Sequence, residues 1–360
     1  MTAPRTSDGI AEPEKGTAGR HPSPPGLDLA GLGGWLGAHV PGAGSDLSAT
    51  LIAGGRSNLT YRVTDGTATW IVRRPPLGHV LATAHDMGRE YRVMSALRDT
   101  SVPVPHTYGF CDDPDVLGAP FYVMAQCSGT PYRLAAELAP LGEERTRRIS
   151  ERLVDTLVTL HRVDPAAVGL ADFGRPQGYL ERQVRRWKKQ LDASYSRDLP
   201  AAEELYRRLS ADVPAESASG IVHGDYRLDN LLVDDDDRAT AVLDWEMATL
   251  GDPLSDLALM VVYNRLGEVT GDDAGVSTVA GAPGYLTEAE TIERYAAGSG
   301  RDLSRFGFHL GLAAFKLAVI LEGIHYRHLH GQTVGEGFET LGGAIGPLLD
   351  AGLRALKEKH

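Results

Sequence analysis

The sequence predicts an α+β protein in two unequal parts, a β-rich part first and a mainly helical part after it. Three observations predict this. Between residues 50 and 125, short runs rich in β-branched and aromatic residues are separated by Gly, Asp and Asn turn residues. From residue 143 onward, apolar residues instead recur at three- and four-residue intervals. A chain of 360 residues with 42% hydrophobic content can also fill a sizeable core and divide into about two folding units.

Taken in order, residues 1–26 are rich in Pro, Gly, Ser and Thr and hold too little apolar surface to offset ordering entropy, so a disordered tail is expected. Leu29, Leu32, Trp35 and Leu36 then mark a short amphipathic helix. Residues 50–53, 60–64 and 69–73 read as three antiparallel strands, joined through 54–58 and the Asp65-Gly66 turn. A helix over 89–97, a Pro-punctuated link at 103–105 and a strand over 120–125 complete a first part spanning 27–127. In the second part, 128–360, helices are expected over 143–162, 179–194, 201–211, 288–297, 306–330 and 337–357. Along 143–162, Ile149, Leu153, Leu157 and Leu160 form one buried face. Among the helices lies a β-like island at 221–223, 230–233 and 239–243. Residues 267–284, Gly-rich and aperiodic, read as a loop.

Composition excludes several classes. A net charge of −12 argues against nucleic acid as a partner, because phosphate backbones are held by clusters of Lys and Arg. Cys111 and Cys127 are too few for a disulfide framework or a thiolate zinc site. No basic stretch followed by an apolar core opens the chain, so no secretory signal is expected. The most apolar run, 310–324, carries Lys316 and Glu322 and is shorter than a bilayer span. No membrane partner and a cytoplasmic location are the expectations.

The chemistry gathers around His223-Gly224-Asp225, Asn230 five positions after that aspartate, and Asp244-Trp245-Glu246 one hairpin later. Phosphoryl transfer from ATP needs a carboxylate to orient the attacking hydroxyl, oxygen ligands for Mg²⁺ and a cation on the phosphates. Asp225 suits the first task, and Asn230 with Asp244 the second. Upstream, Gly54, Gly55, Ser57 and Asn58 form a loop whose backbone can approach phosphates closely. Arg73 ends the third strand and Glu90 sits on the next helix, a cation–carboxylate arrangement that protein kinases use to fix their phosphate-holding side chain.

In this order the motifs resemble those of the aminoglycoside phosphotransferase and choline kinase family. The closest likeness is to the kinase domains found fused to acyl-CoA dehydrogenases, which share the texture of residues 57–61, 73–76 and 160–165 here. The likeness covers roughly residues 28–357. It implies a protein-kinase-like bilobal fold, with a nucleotide-binding N-lobe over 27–127 and a catalytic, substrate-binding C-lobe over 128–360. It also implies Asp225 as catalytic base, Asn230 and Asp244 as Mg²⁺ ligands, Arg73 as phosphate contact with Glu90 its partner, and Met124, Ala125, Gln126 and Cys127 as the adenine hinge. Asp256 is implied to support the loop that carries Asp225. Two departures stand out: the loop at 54–58 lacks Gly-x-Gly-x-x-Gly, and the strand cation is Arg, with Arg74 adjacent as a rival. The implied activity is ATP-dependent transfer to a hydroxyl of a small molecule, a hydroxyacyl-CoA or another small metabolite. An aminoglycoside-type antibiotic kinase and a non-catalytic nucleotide-binding module stay open as alternatives, and the oligomeric state is not legible.

Three remaining clusters have plainer readings. His325, His328 and His330 lack a completing carboxylate or thiol for a metal. Residues 234–237 read as a solvated hairpin tip. Arg182, Arg185, Arg186, Lys188 and Lys189 form either a solvated basic face or a patch for an anionic substrate.

Overall fold

Strand alternation decides the architecture of the first part. In the computed structural model, which describes residues 23–52, 58–78, 85–215, 219–270, 276–332 and 341–358, β1 (Ser48–Leu51), β2 (Leu59–Thr64), β3 (Thr69–Arg74), β4 (Thr107–Cys111) and β5 (Phe121–Ala125) form an antiparallel sheet. Its order is β1-β2-β3-β5-β4. The β2–β3 turn is set by Asp65, whose carboxylate accepts the N–H groups of Thr67 and Ala68 at 2.9 and 2.8 Å. One face of the sheet carries Tyr61, Val63, Trp70, Val72, Phe121 and Val123, and packs on Leu32, Trp35 and Leu36 of α1 (Leu29–His39). The opposite face presents Ile71, Tyr122 and Met124 to α2 (Met87–Leu97) and joins the core of the second part. The end of the expected tail lies against this layer, with the Pro25 carbonyl accepting the Tyr61 hydroxyl at 2.6 Å. A short helix, α3 (Pro114–Leu117), links β4 to β5.

The second part begins with α4 (Ala135–Leu138) and α5 (Glu143–Arg162), whose bounds are those expected from its periodicity. Next come α6 (Tyr179–Asp192) and α7 (Pro200–Ala211), then two small antiparallel ribbons. One pairs β6 (Gly220–Val222) with β9 (Thr249–Gly251), the other β7 (Leu231–Val233) with β8 (Ala239–Val242). The chain continues through α8 (Leu254–Thr270), α9 (Glu288–Ser299), α10 (Phe306–Leu329) and α11 (Leu341–Ala355). Helix α10 is the hub, packed against α6, α7, α8 and α11. It is long and apolar enough to cross a membrane, yet 83% of its most apolar 18-residue window is buried inside the protein.

Sequence reading missed five elements, the four-residue helices α3 and α4 and three others. Helix α8 reaches residue 270, into what read as a loop, and its residues 257–262 are all buried. An unbroken apolar run has no amphipathic period to detect. Strand β4 carries Gly109 and a register shift between Thr107 and Gly109, which spoils its alternation. Strand β9 has only three residues and exists because β6 pairs with it.

Candidate active site

The loop between β6 and β7 is built around one buried carboxylate. Asp256, in the first turn of α8, is fully buried. Its two oxygens accept the N–H groups of His223 and Gly224, each at 2.7 Å, and Oδ2 also lies 3.2 Å from His161 Nε2. Burial pushes its acidity the other way, but the His161 contact and the backbone donors hold this carboxyl below the usual range. Gly224 has φ +87°, and a Cβ there would stand 2.7 Å from Met247 Cβ and the Met247 carbonyl, so only glycine fits. The His223 ring is saturated: Nε2–H donates to the Leu243 carbonyl at 2.9 Å, and Nδ1 accepts the Asp225 N–H at 3.2 Å. His223 is therefore a scaffold for the next residue rather than a proton acceptor for a substrate.

Asp225 emerges from this scaffold toward the cleft with its side chain 24% exposed. The Asn230 amide donates to its backbone carbonyl at 2.9 Å and to its carboxylate at 3.3 Å, and Arg227 Nε lies 3.5 Å from the same carboxylate. Asn230 precedes β7 and its carbonyl accepts the Leu243 N–H at 2.8 Å, which sets Asp244 one residue beyond the paired end of the hairpin. Asp244 holds a left-handed φ of +64°, uncommon for a residue with a side chain.

From the sheet side, Arg73 reaches the same place. Its Nη2 donates to Asp244 Oδ1 at 2.5 Å, and its Nε lies 3.2 Å from Glu90 Oε2. Glu90 is 1% exposed and also accepts the Tyr122 hydroxyl at 2.9 Å and the Asn58 amide at 3.1 Å. Burial raises the Glu90 carboxyl to about 7, with Asp244 and Glu246 adding to the rise and Arg73 opposing it. Alternation settles which arginine does this. Arg73 shares the cleft face with Ile71. Arg74 points to the α1 side, where it donates to the Leu117 carbonyl at 2.7 Å and to the Gly26 carbonyl.

The model of the phosphotransferase enzyme family, APH, matches residues 48–309. The chain belongs to the phosphotransferase enzyme family. Acyl-CoA dehydrogenase family member 11 of Rattus norvegicus is 34% identical over 337 residues, 91% of this chain and 43% of that protein. The chain thus spans less than half the length of this relative. A candidate aminoglycoside phosphotransferase from Ralstonia eutropha superimposes with a TM-score of 0.80 at 32% identity, over 92% of this chain and 99% of that one. A thermostable mutant of the aminoglycoside phosphotransferase APH(4)-Ia, in ternary complex with AMP-PNP and hygromycin B, matches with a TM-score of 0.58 at 15% identity, over 90% of this chain and 98% of that one. The fold is protein-kinase-like and bilobal, with the sheet as N-lobe and the helices as C-lobe.

In this family member, the structure brings Asp225, Asn230, Asp244, Arg73 and Glu90 to one end of the cleft. Asn58 is a different case. It is 3% exposed, its amide holds Glu90 and Glu246, and its carbonyl oxygen lies 2.8 Å from His85 Nδ1, so it braces the cluster instead of facing phosphate. Gly54, Gly55 and Ser57 lie outside the described residues. Met124 is buried within β5, Ala125 ends that strand, and Gln126 accepts from Arg62 Nε at 3.0 Å. Cys127 follows with its Sγ 4.0 Å from the Ala125 carbonyl. The donor set suits a hard cation: the Asn230 amide nitrogen is engaged, which turns its oxygen free, and Asp244 keeps one oxygen beyond the Arg73 contact. Among the described residues no group of three or more His, Cys, Asp or Glu could hold a metal by itself, which Mg²⁺ shared with phosphates does not require. Sequence reading missed Tyr122, Lys316 and Tyr263, whose ring centre lies 4.9 Å from the Arg227 guanidinium beside Asp225. Only Lys316 had left a signal, as a charge in an apolar run.

Proposed function

We propose that this chain transfers the γ-phosphoryl group of ATP to the hydroxyl of a small molecule. The carrying observation is that Asp225 and Asn230 share one pinned loop, while Asp244 from the adjoining hairpin meets the Arg73–Glu90 pair of the other lobe. Asp225 would orient the hydroxyl and take its proton as the oxygen bonds to the γ-phosphorus and the bond to the ADP oxygen breaks. Arg73, held by Glu90, would meet phosphate oxygens. Asn230 and Asp244 would hold Mg²⁺, which when bound neutralises phosphate charge. The 124–127 segment would seat adenine through its backbone.

For the acceptor, we infer an acyl-type metabolite with an anionic portion, such as a hydroxyacyl-CoA. A cavity beside Gly224 has apolar walls from Val222, Leu259 and Leu312, with Gln183 and Trp187 at its α6 side. On α6, Arg182 binds backbone carbonyls, Arg185 pairs with Glu181, and Lys188 pairs with Asp192 and Glu203. Arg186 instead lies 5.4 Å from the Trp187 ring centre and has no carboxylate partner among the described residues, so it can meet an anion at that wall.

An ADP-release screen with Mg²⁺ across hydroxyacyl-CoAs, amino alcohols and aminoglycosides tests both levels. With an acceptor found, Asp225→Ala should lower the rate by about 10²- to 10⁴-fold while nucleotide binding persists. A variant as fast as the wild type would overturn the role of Asp225. Nucleotide binding with no ADP release from any acceptor would favour a non-catalytic module.

A further inference from the structure

We propose that Lys316, delivered from the middle of α10, is the positioning residue that fixes the peptide carrying Asp225. Its ammonium donates to the Gly224 carbonyl at 2.8 Å. The N–H of the same glycine is held by Asp256 at 2.7 Å, so Gly224 is clamped from both sides by side chains that come from different helices. Asp225 follows directly, and its own N–H rests on His223. With φ +87°, Gly224 is the most freely rotating link in this segment, and the two contacts remove that freedom. This role rests on the proposed role of Asp225.

The surroundings of Lys316 account for a charged side chain in an apolar helix. Residues 306–315 and 317–319 of α10 are buried, and Lys316, half-buried, shares a wall of the cavity with His309, Leu312 and Ala313. Its ammonium lies 5.6 Å from the Trp187 ring centre, within range of a cation–π contact. Burial lowers its basicity, while Asp225 and Asp256 support the charged form and Arg186 opposes it. Glu322, the other charge in the run, has a separate task, accepting the Ser196 N–H at 2.9 Å and its hydroxyl at 2.6 Å.

The test combines kinetics with amide hydrogen exchange on the full chain. In Lys316→Met, kcat should fall about 10- to 100-fold with the KM for ATP within twofold, because loop geometry changes and the nucleotide site does not. Amides of residues 223–226 should exchange faster, and Lys316→Arg should restore most of both properties. Lys316→Gln is too short to reach Gly224 but keeps the position polar, so it makes the same prediction should the Met variant fail to fold. Unchanged exchange in 223–226 in a folded variant would overturn the proposal, as would an unchanged kcat. A wild-type chain that releases no ADP with any acceptor would defeat the proposed phosphotransfer, and the exchange measurement would still decide what Lys316 does.

Discussion

Glu90 shows how a single side chain at the lobe junction couples acidity to stability. It is buried beside Asp244 and Glu246, and it titrates near 7 in the folded protein against an ordinary 4.5. Between these values the folded state binds a proton that the unfolded chain has released, so the contribution of Glu90 is fully present below about pH 4.5 and lost as pH rises through 7. Urea unfolding of the wild type from pH 5 to 8 should therefore show a decline that Glu90→Gln flattens. Identical slopes for the two proteins would show that Glu90 is not the source. At this scale the sequence was partly legible. The Arg73–Glu90 pairing was visible as an arrangement of strand cation and helix carboxylate. The choice between Arg73 and Arg74 stayed open in the sequence, and the folded sheet places Arg73 with Ile71 and Arg74 with Val72. Asn58 was not legible, since its inward turn depends on His85, Glu90 and Glu246 arriving together.

Helix α2 carries Glu90, and its neighbour Arg89 ties that helix to the C-lobe. The Arg89 guanidinium stacks 4.0 Å from the Phe173 ring centre, with Nε on the Ala248 carbonyl at 3.0 Å and Nη2 on the Phe173 carbonyl at 2.5 Å. Arg92, one turn on, donates to the Gly169 carbonyl at 3.1 Å and pairs with Asp172. The helix thus sits on the C-lobe through two arginines, and the position of Glu90 follows from that seating. Phe173 is 2% exposed. Phe173→Ala should cost about 3–5 kcal/mol in chemical denaturation, combining lost burial with a cavity beneath Arg89. A loss under 1 kcal/mol would mean that the seating does not depend on this ring. Amphipathic elements such as α5 were legible because their period is printed locally in the chain. Helix α8 was not, because the unbroken burial of its residues 257–262 erases the period, and β9 was not, because a three-residue strand is made by its partner.

Across the whole molecule, the two lobes meet where Arg73 of the sheet touches Asp244 of the C-lobe, with Asn58 and Arg89 as further ties. A nucleotide bridging the lobes should stabilise them together. At one hundred times its dissociation constant, ATP with Mg²⁺ should add about 2.7 kcal/mol, measurable as a rise in the unfolding midpoint. Asp244→Asn should reduce the part of that rise that requires Mg²⁺ and leave the part due to nucleotide alone. A midpoint indifferent to nucleotide would remove the cleft as its site. By itself the sequence determined the α+β division, the buried face of α5, and the order of His223, Asp225, Asn230 and Asp244, because period and motif spacing are local properties of the chain. Only the tertiary structure decided that Asp256 and Lys316 clamp Gly224 from two helices, that Asn58 turns inward, and that residues 257–262 of α8 are all buried. Those contacts join residues tens to nearly two hundred positions apart, and no local pattern encodes which distant side chain packing will bring to a given backbone group.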